Sequence, residues 1–150
     1  MTTVAVDFDG VIHAYGNGWQ DGSIYDGPVP GAFDALRKLQ ESYAVVIHTT
    51  RDPWQVGPWL AEKGGFTYVV DPGLSLQFWN EQGSLLVTNR KLPAVAYIDD
   101  RGIRFTSWDQ ALADLARHGP PGEPTGLDKV RAAVRRSRGG DAPVQVRGFA

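Results

Sequence analysis

Two carboxylates two positions apart close the first apolar run of the chain. Residues 3–6 are followed by Asp7, Phe8 and Asp9, and then by Gly10. Because side chains alternate between the faces of a strand, we expect Asp7 and Asp9 to project in the same direction. Repulsion between two close carboxylates is relieved by a divalent cation, and Mg²⁺ binds through oxygen ligands alone. The pair therefore predicts metal-dependent chemistry, with a solvated turn as the alternative.

Further polar groups follow two other short apolar runs. They are Thr49, Thr50 and Arg51 after residues 44–48, and Asp99, Asp100 and Arg101 after residues 94–98. Short runs rich in Val, Ile and Ala are typical of buried parallel strands. Ligands of open parallel sheets bind beyond the carboxyl ends of the strands. All these groups, with Lys91 between the two runs, are therefore expected at one edge of a sheet.

The pattern between these runs predicts alternating strands and helices. Helices are expected from Pro30, from Asp52-Pro53 to Lys63 with an end at Gly64-Gly65, and from Asp109 to Arg117. Strands are expected at 3–7, 44–49, 66–70, 84–88, 94–99 and 103–105, with 94–99 at the centre of the sheet. Residues 10–29 are expected to form a loop or a tight hairpin around Asn17-Gly18. This order predicts an α/β fold with right-handed crossovers.

Composition narrows the class of protein further. The 150 residues suit one domain with a sizeable core. The absence of cysteine excludes disulfides, thiolate metal sites and cysteine nucleophiles. No apolar run approaches the roughly 18 residues that cross a bilayer, and no export signal is visible. The expectation is a cytoplasmic protein with no membrane partner, and the sequence leaves the oligomeric state open.

The chain changes character after Gly119. Residues 119–150 begin with a stretch rich in Gly and Pro and contain six basic and three acidic side chains. Their net charge is therefore +3. Because the whole chain has a net charge of −2, residues 1–118 have a net charge of −5. We expect a domain over residues 1–118, followed by a linker and a basic extension with a short helix at 127–138. This extension could contact nucleic-acid phosphates or be a solvated tail.

The ordered set of motifs resembles the haloacid dehalogenase (HAD) superfamily. Asp7-Phe8-Asp9-Gly10-Val11, Thr49, Lys91 and Asp99-Asp100 are similar to its four signature motifs, and the resemblance covers roughly residues 3–117. Two segments, Thr49-Thr50-Arg51 and Asp99-Asp100-Arg101, look like the phosphatase domain of polynucleotide kinase phosphatases. Thr50 departs from that group, which has Gly there. The resemblance implies a Rossmann-like, HAD-type three-layer sandwich around a mostly parallel sheet.

The resemblance also implies residue roles. Asp7 would be the nucleophile that forms an aspartyl-phosphate, and Asp9 the general acid and then base. Thr49 would bind a phosphoryl oxygen, and Lys91 would offset negative charge around it, with Arg90 as a competitor. Mg²⁺ would be held by Asp7, Asp9 through its backbone carbonyl, Asp99 and Asp100, although Asp100 could instead only hydrogen-bond near the metal. Thr50, Arg51 and Arg101 are candidate substrate-binding residues, but the two arginines could equally pair with neighbouring acids.

These roles imply a phosphomonoester hydrolase without a full cap domain. Only 40 positions separate Asp9 from Thr49, which leaves room for a small flap at residues 13–28. Such an open site suits a large substrate such as a nucleic-acid end or a phosphoprotein, or a partner subunit that closes it. The expected substrate is a nucleotide or a nucleic-acid end. Trp19 could stack on a base or simply pack, and His13 and His48 are expected to be structural. The alternative is a non-catalytic HAD-like module that binds a phosphorylated ligand or a protein.

Overall fold

The computed structural model describes residues 1–117 and divides the chain into two compact units, Met1–Asp100 and Arg101–Ala150. The first unit contains β1 (Thr3–Asp7), α1 (Ala32–Gln40), β2 (Ala44–His48), α2 (Pro53–Gly64), β3 (Tyr68–Val70), β4 (Leu85–Thr88) and β5 (Ala96–Ile98). The described part of the second unit contains α3 (Trp108–Ala116). The linker, helix and basic tail expected after Gly119 lie outside the described residues.

The five strands form one all-parallel sheet in the order β3-β4-β2-β1-β5. This α/β architecture is compatible with a Rossmann-like fold. The expectation of a central strand at 94–99 is wrong, because β5 lies at the edge and pairs with β1, while β2 is central. All three residues of β5 are exposed, so this run is not a buried strand in the way that β1 and β2 are.

The core lies mainly on one face of the sheet. There Val6, Ile47 and Val87 from three strands pack with Phe8 and with Leu60 of α2. A smaller cluster on the other face gathers Ala5, Val46 and Leu86 with Trp79 and Leu92. The continuous apolar runs of β1 and β2 are therefore explained by burial on both faces of the strands.

The helix boundaries follow local capping. Asp52 accepts a hydrogen bond from the Trp54 backbone N–H at 3.0 Å, and Gly65 ends α2 with a φ of 70°, as expected. α1 begins at Ala32 rather than at Pro30, because Gly31 adopts a φ of 82° at its N-cap. In the second unit the strand expected at 103–105 is absent, and α3 begins at Trp108 behind the Ser107 cap.

The loop expected after the first strand is present. His13 forms isolated bridges to Asp9 and Pro28, and the Gly18 backbone N–H closes a turn on the Tyr15 carbonyl at 3.1 Å. This segment, residues 13–28, is called the flap below. Within the described residues, no helix has the length and apolar character needed to cross a membrane.

Candidate functional site

Three carboxylates meet at the carboxyl edge of the sheet. Asp7 ends β1, and Asp99 and Asp100 follow β5 directly. The register pairs Val6 with Ile98, so the residues after them, Asp7 and Asp99, leave adjacent strands at the same level. One oxygen from each of Asp7, Asp99 and Asp100 lies within 4.8 Å of the other two.

Gly10 is required by this arrangement. Its φ is 82°, and a Cβ atom built at this position would lie 2.2 Å from the Asp100 Oδ2. Any larger residue would therefore strain the backbone and displace the Asp100 carboxylate. Because glycine has no side chain, the turn after β1 can lie directly against the Asp100 carboxylate.

The surroundings of Asp7 disfavour its ionised form. Burial raises the pKa of Asp7 to about 6, although a hydrogen bond from the Phe8 N–H acts in the opposite direction. The charges of Asp99 and Asp100 then add to the rise, as does a side-chain hydrogen bond with Asp100. A cation placed among these oxygens would remove both the repulsion and the desolvation cost.

The donor set is suitable for a hard divalent cation. Opposite ligands of an octahedral Mg²⁺ lie about 4.2 Å apart, since each bond is ~2.1 Å. Adjacent ligands lie closer, about 3.0 Å apart, so three oxygens that all lie within 4.8 Å of one another would have to draw together around an ion. Asp7, Asp99 and Asp100 are therefore the residues that could hold such an ion.

The Asp9 carboxylate is directed elsewhere. The Phe8 carbonyl accepts hydrogen bonds from the N–H groups of Ile12 and His13, both at 2.9 Å, so the chain turns sharply after β1. The Asp9 Oδ1 lies 2.7 Å from the His13 Nδ1, and the Arg51 Nε donates to both Asp9 oxygens. Asp9 does not belong to the group formed by the other three carboxylates.

The tautomer of His13 follows from its partners. The Asp26 backbone N–H donates to the His13 Nε2 at 3.0 Å, so this nitrogen carries no proton. The Nδ1 must then carry the proton and donate it to Asp9. His13 is fully buried and stacks on Phe8, with 5.5 Å between the ring centroids. It orients Asp9 and ties the flap to the sheet.

Arg51 joins Asp9 to the flap. Its side chain is 1 % exposed, and its Nη1 donates to the carbonyls of Gly22 and Ser23. The guanidinium carbon lies 5.0 Å from the Trp19 ring centroid and 5.7 Å from that of Tyr15. Its Nη2 is buried and has no hydrogen-bond partner among the described residues.

The other residues from the second motif lie close by. Thr49 is buried, and its hydroxyl accepts a hydrogen bond from the Arg51 backbone N–H at 3.0 Å. The Asn89 side-chain amide donates to the carbonyls of Thr49 and Arg51, both at 2.7 Å, and so fixes this turn. Thr50 is exposed.

Lys91 and its competitor Arg90 have different surroundings. Arg90 donates from Nε and Nη2 to the two oxygens of Asp71, and Nη2 also reaches the carbonyls of Gly73 and Leu76. Its guanidinium is therefore occupied. Lys91 is exposed, and its ammonium lies 5.2 Å from the centroid of the Tyr97 ring. Arg101 belongs to the second unit.

The contacts of His13 with Asp9 and Asp26 agree with the expectation that His13 is structural. Its partner Asp9 had one available signal, since His13 follows it by four positions. The sequence did not indicate Asn89 or the Asp71–Arg90 pair. Asn89 and Asp71 had no such signal, because their partners lie 40 and 19 positions away along the chain.

An open cavity of about 390 Å³ adjoins Arg51. Trp19, Asp21 and Ser23 line it from the flap, and Thr50, Arg51, Asp52 and Gln55 from the turn into α2. Because Arg51 holds Asp9, the cavity wall is connected directly to one of the candidate catalytic carboxylates.

Scans of this chain against protein-family models, curated proteins and solved structures return no match.

Proposed function

We propose that this chain is a Mg²⁺-dependent phosphomonoester hydrolase of the HAD type that acts through an aspartyl-phosphate on Asp7. The observation that carries the proposal is the meeting of Asp7, Asp99 and Asp100 within 4.8 Å at the carboxyl edge of a parallel sheet. The strand order supports it, because β1 lies between β2 and β5, the strands that precede Thr49 and Asp99.

The proposed reaction has two steps. A carboxylate oxygen of Asp7 attacks phosphorus, the bond from phosphorus to the ester oxygen breaks, and Asp9 gives that oxygen a proton. Asp9 then takes a proton from water, whose oxygen attacks phosphorus and releases phosphate and the free Asp7. A Mg²⁺ ion held by Asp7, Asp99, Asp100 and the Asp9 carbonyl would supply positive charge to the phosphoryl oxygens.

The remaining groups have supporting roles in this proposal. The Thr49 hydroxyl and the Thr50 backbone bind phosphoryl oxygens, and Lys91 adds positive charge. Arg51 holds Asp9 in place through its Nε. The substrate is a nucleotide or a nucleic-acid end, in keeping with an open site.

One observation favours the alternative of a non-catalytic module that binds a phosphorylated ligand. The Asp9 carboxylate accepts hydrogen bonds from Arg51 and from His13, so its oxygens are already engaged by residues of the protein itself. Hydrolysis by the wild-type protein would exclude this alternative. Phosphate binding without any turnover would support it.

The test is phosphate release from p-nitrophenyl phosphate with Mg²⁺ and with EDTA. We expect Mg²⁺-dependent turnover that Asp7→Asn abolishes and that Asp9→Asn lowers by about 10²- to 10⁴-fold. Asp34→Asn is the matched control, because the Asp34 side chain is 93 % exposed on α1. Equal activity in Asp7→Asn and Asp34→Asn would overturn the proposal.

A further inference from the structure

The cavity beside Arg51 contains an exposed aromatic ring that is nevertheless held in place. Trp19 is 61 % exposed. One contact is the Arg51 guanidinium, 5.0 Å from the ring centroid. The ring also passes over Gly22, where a Cβ atom would lie 3.6 Å from its Cζ2 and Cη2 atoms. A large apolar surface fixed in water is suited to stacking against a flat ligand.

The cavity shares Arg51 with Asp9, the residue that gives the leaving group its proton in the proposed reaction. The ester oxygen that departs takes its proton from Asp9, so the rest of the leaving group extends from Asp9. The Arg51 Nε binds Asp9, and Arg51 also lines the cavity. The unpartnered Nη2 shares an edge of the guanidinium with Nε, so it faces the same side as Asp9. It is a buried donor beside Asp9 that no described residue uses.

The charges of the lining select against an anionic leaving group. Hydrogen bonds from the Ser23 hydroxyl and backbone N–H lower the pKa of Asp21, which is therefore ionised at neutral pH. Asp52, the cap of α2, adds a second carboxylate to the lining. The positive charge of Arg51 is already balanced by Asp9. The cavity therefore suits a ring that is neutral and carries hydrogen-bond donors.

We propose that this cavity is the leaving-group subsite and that it takes the base of a nucleoside monophosphate, stacked on Trp19. The inference rests on the proposed hydrolase function and specifies its substrate class. The side-chain amide of Gln55, the Ser23 and Thr50 hydroxyls and the two carboxylates supply polar partners for the edge of the base. A second phosphate on the nucleoside is disfavoured by Asp21 and Asp52.

The experiment compares nucleoside monophosphates with glycerol phosphate, an ester that has no ring. We expect Trp19→Ala to lower kcat/KM for the nucleotides by about 5- to 150-fold, the range for replacing one aromatic side chain that stacks on a base by alanine. Trp19→Phe should retain most of that activity. Activity on glycerol phosphate should fall much less than activity on the nucleotides in Trp19→Ala, because this ester has no ring to stack on residue 19.

Two further variants complete the test. Trp54→Ala is the matched control, because Trp54 is 69 % exposed on α2 and does not line the cavity. It should leave kcat/KM unchanged for every substrate. Asp21→Asn should improve the use of nucleoside 3′,5′-bisphosphates relative to monophosphates. An equal loss on nucleotides and glycerol phosphate in Trp19→Ala would overturn the subsite.

Binding of an unphosphorylated nucleoside separates this inference from the hydrolase proposal. Adenosine, guanosine, cytidine and uridine can be titrated calorimetrically against the wild-type protein and Trp19→Ala, and in the wild type the Trp19 indole N–H signal can also be followed by NMR. Binding that requires Trp19 supports the subsite even if every phosphate ester is inert, an outcome that contradicts only the hydrolase. Turnover of phosphate esters with no nucleoside preference contradicts only the subsite.

Discussion

The Nε of Arg51 donates to both carboxylate oxygens of Asp9, at 2.8 and 3.0 Å, from a side chain that is 1 % exposed. This contact links Asp9, which closely follows β1, to the flap, because the same guanidinium donates to the Gly22 carbonyl. Arg51 contacts the flap through the Gly22 carbonyl. His13, the first residue of the flap, accepts a hydrogen bond from the Asp26 N–H. The flap and Asp9 are therefore expected to be ordered or disordered together.

Removal of Arg51 tests this coupling. Arg51→Ala leaves Asp9 without its charged partner and the Gly22 carbonyl without its donor, so we expect a loss of ~3–5 kcal/mol in the free energy of unfolding. Arg51→Lys should recover part of the stability but not the carbonyl contacts. Urea unfolding measures both, with Lys38→Ala, whose side chain is 81 % exposed, as the control. A loss no larger than that of the control would contradict the coupling.

Gly10 offers a second test, with a control of matched backbone geometry. Gly10 and Gly31 both have a φ of 82°, but a Cβ atom at Gly31 meets nothing within 4 Å. Each change to Ala should cost about 1–2 kcal/mol of backbone strain. Gly10→Ala should also push Asp100 away and weaken Mg²⁺ binding, measured by calorimetric titration, by at least roughly tenfold, or ~1.4 kcal/mol. Equal Mg²⁺ affinity in the two variants would show that Asp100 is not a ligand.

The Asp71–Arg90 pair predicts a dependence of stability on pH. Its hydrogen bond with Arg90 lowers the pKa of Asp71 to about 2, below the value of 3.8 for an unperturbed carboxyl. A depressed folded-state pKa stabilises the protein above pH 3.8, and this contribution disappears as the pH falls towards 2. It amounts to roughly 2 kcal/mol.

We therefore expect Asp71→Asn to be less stable than the wild type at pH 6 and to approach it near pH 2. Denaturant midpoints measured between pH 6 and pH 2 follow the difference, with Asp34→Asn as the exposed control. A difference between Asp71→Asn and the wild type that stays constant over this range would show that the ion pair is not its source.

The raised pKa of Asp7 predicts a dependence of stability on pH that is opposite to that of Asp71. Because its pKa is raised to about 6, the folded protein holds this proton more tightly than the unfolded chain, and stability falls as the pH rises from about 4 to 6. Without divalent cations at pH 7.5, Asp7→Asn should therefore melt at a higher temperature than the wild type. Added Mg²⁺ should raise the melting temperature of the wild type and have little effect on the variant. The reverse pattern would contradict a metal site at Asp7.

The sequence predicted best what local signals control. The apolar runs of β1 and β2 and the Asp52 and Gly65 caps of α2 depend on neighbouring residues, and the structure confirms them. The position of β5 in the sheet could not be predicted from neighbouring residues, because strand order is set by pairing between distant segments. The short strand expected at 103–105 is absent, since an apolar alternation of three residues does not provide a pairing partner.

The candidate site was predictable to a similar degree. The meeting of Asp7 with Asp99 and Asp100 followed from their places at strand ends, and the structure groups them. The direction of the Asp9 side chain did not follow from the sequence. Side chains alternate only within a strand, and the chain leaves β1 in a turn whose N–H groups donate to the Phe8 carbonyl. Arg51 was expected to bind substrate or a neighbouring acid, and its partner is Asp9, 42 positions away.

Covalent trapping on Asp7 tests the central proposal most directly. The protein is mixed with p-nitrophenyl phosphate and Mg²⁺, quenched in acid, reduced with borohydride and digested for mass spectrometry. An aspartyl-phosphate is reduced to homoserine, so we predict a loss of 14 Da at position 7 alone, dependent on Mg²⁺ and substrate. Steady hydrolysis with an unmodified Asp7, or modification at another carboxylate, would contradict the proposed mechanism.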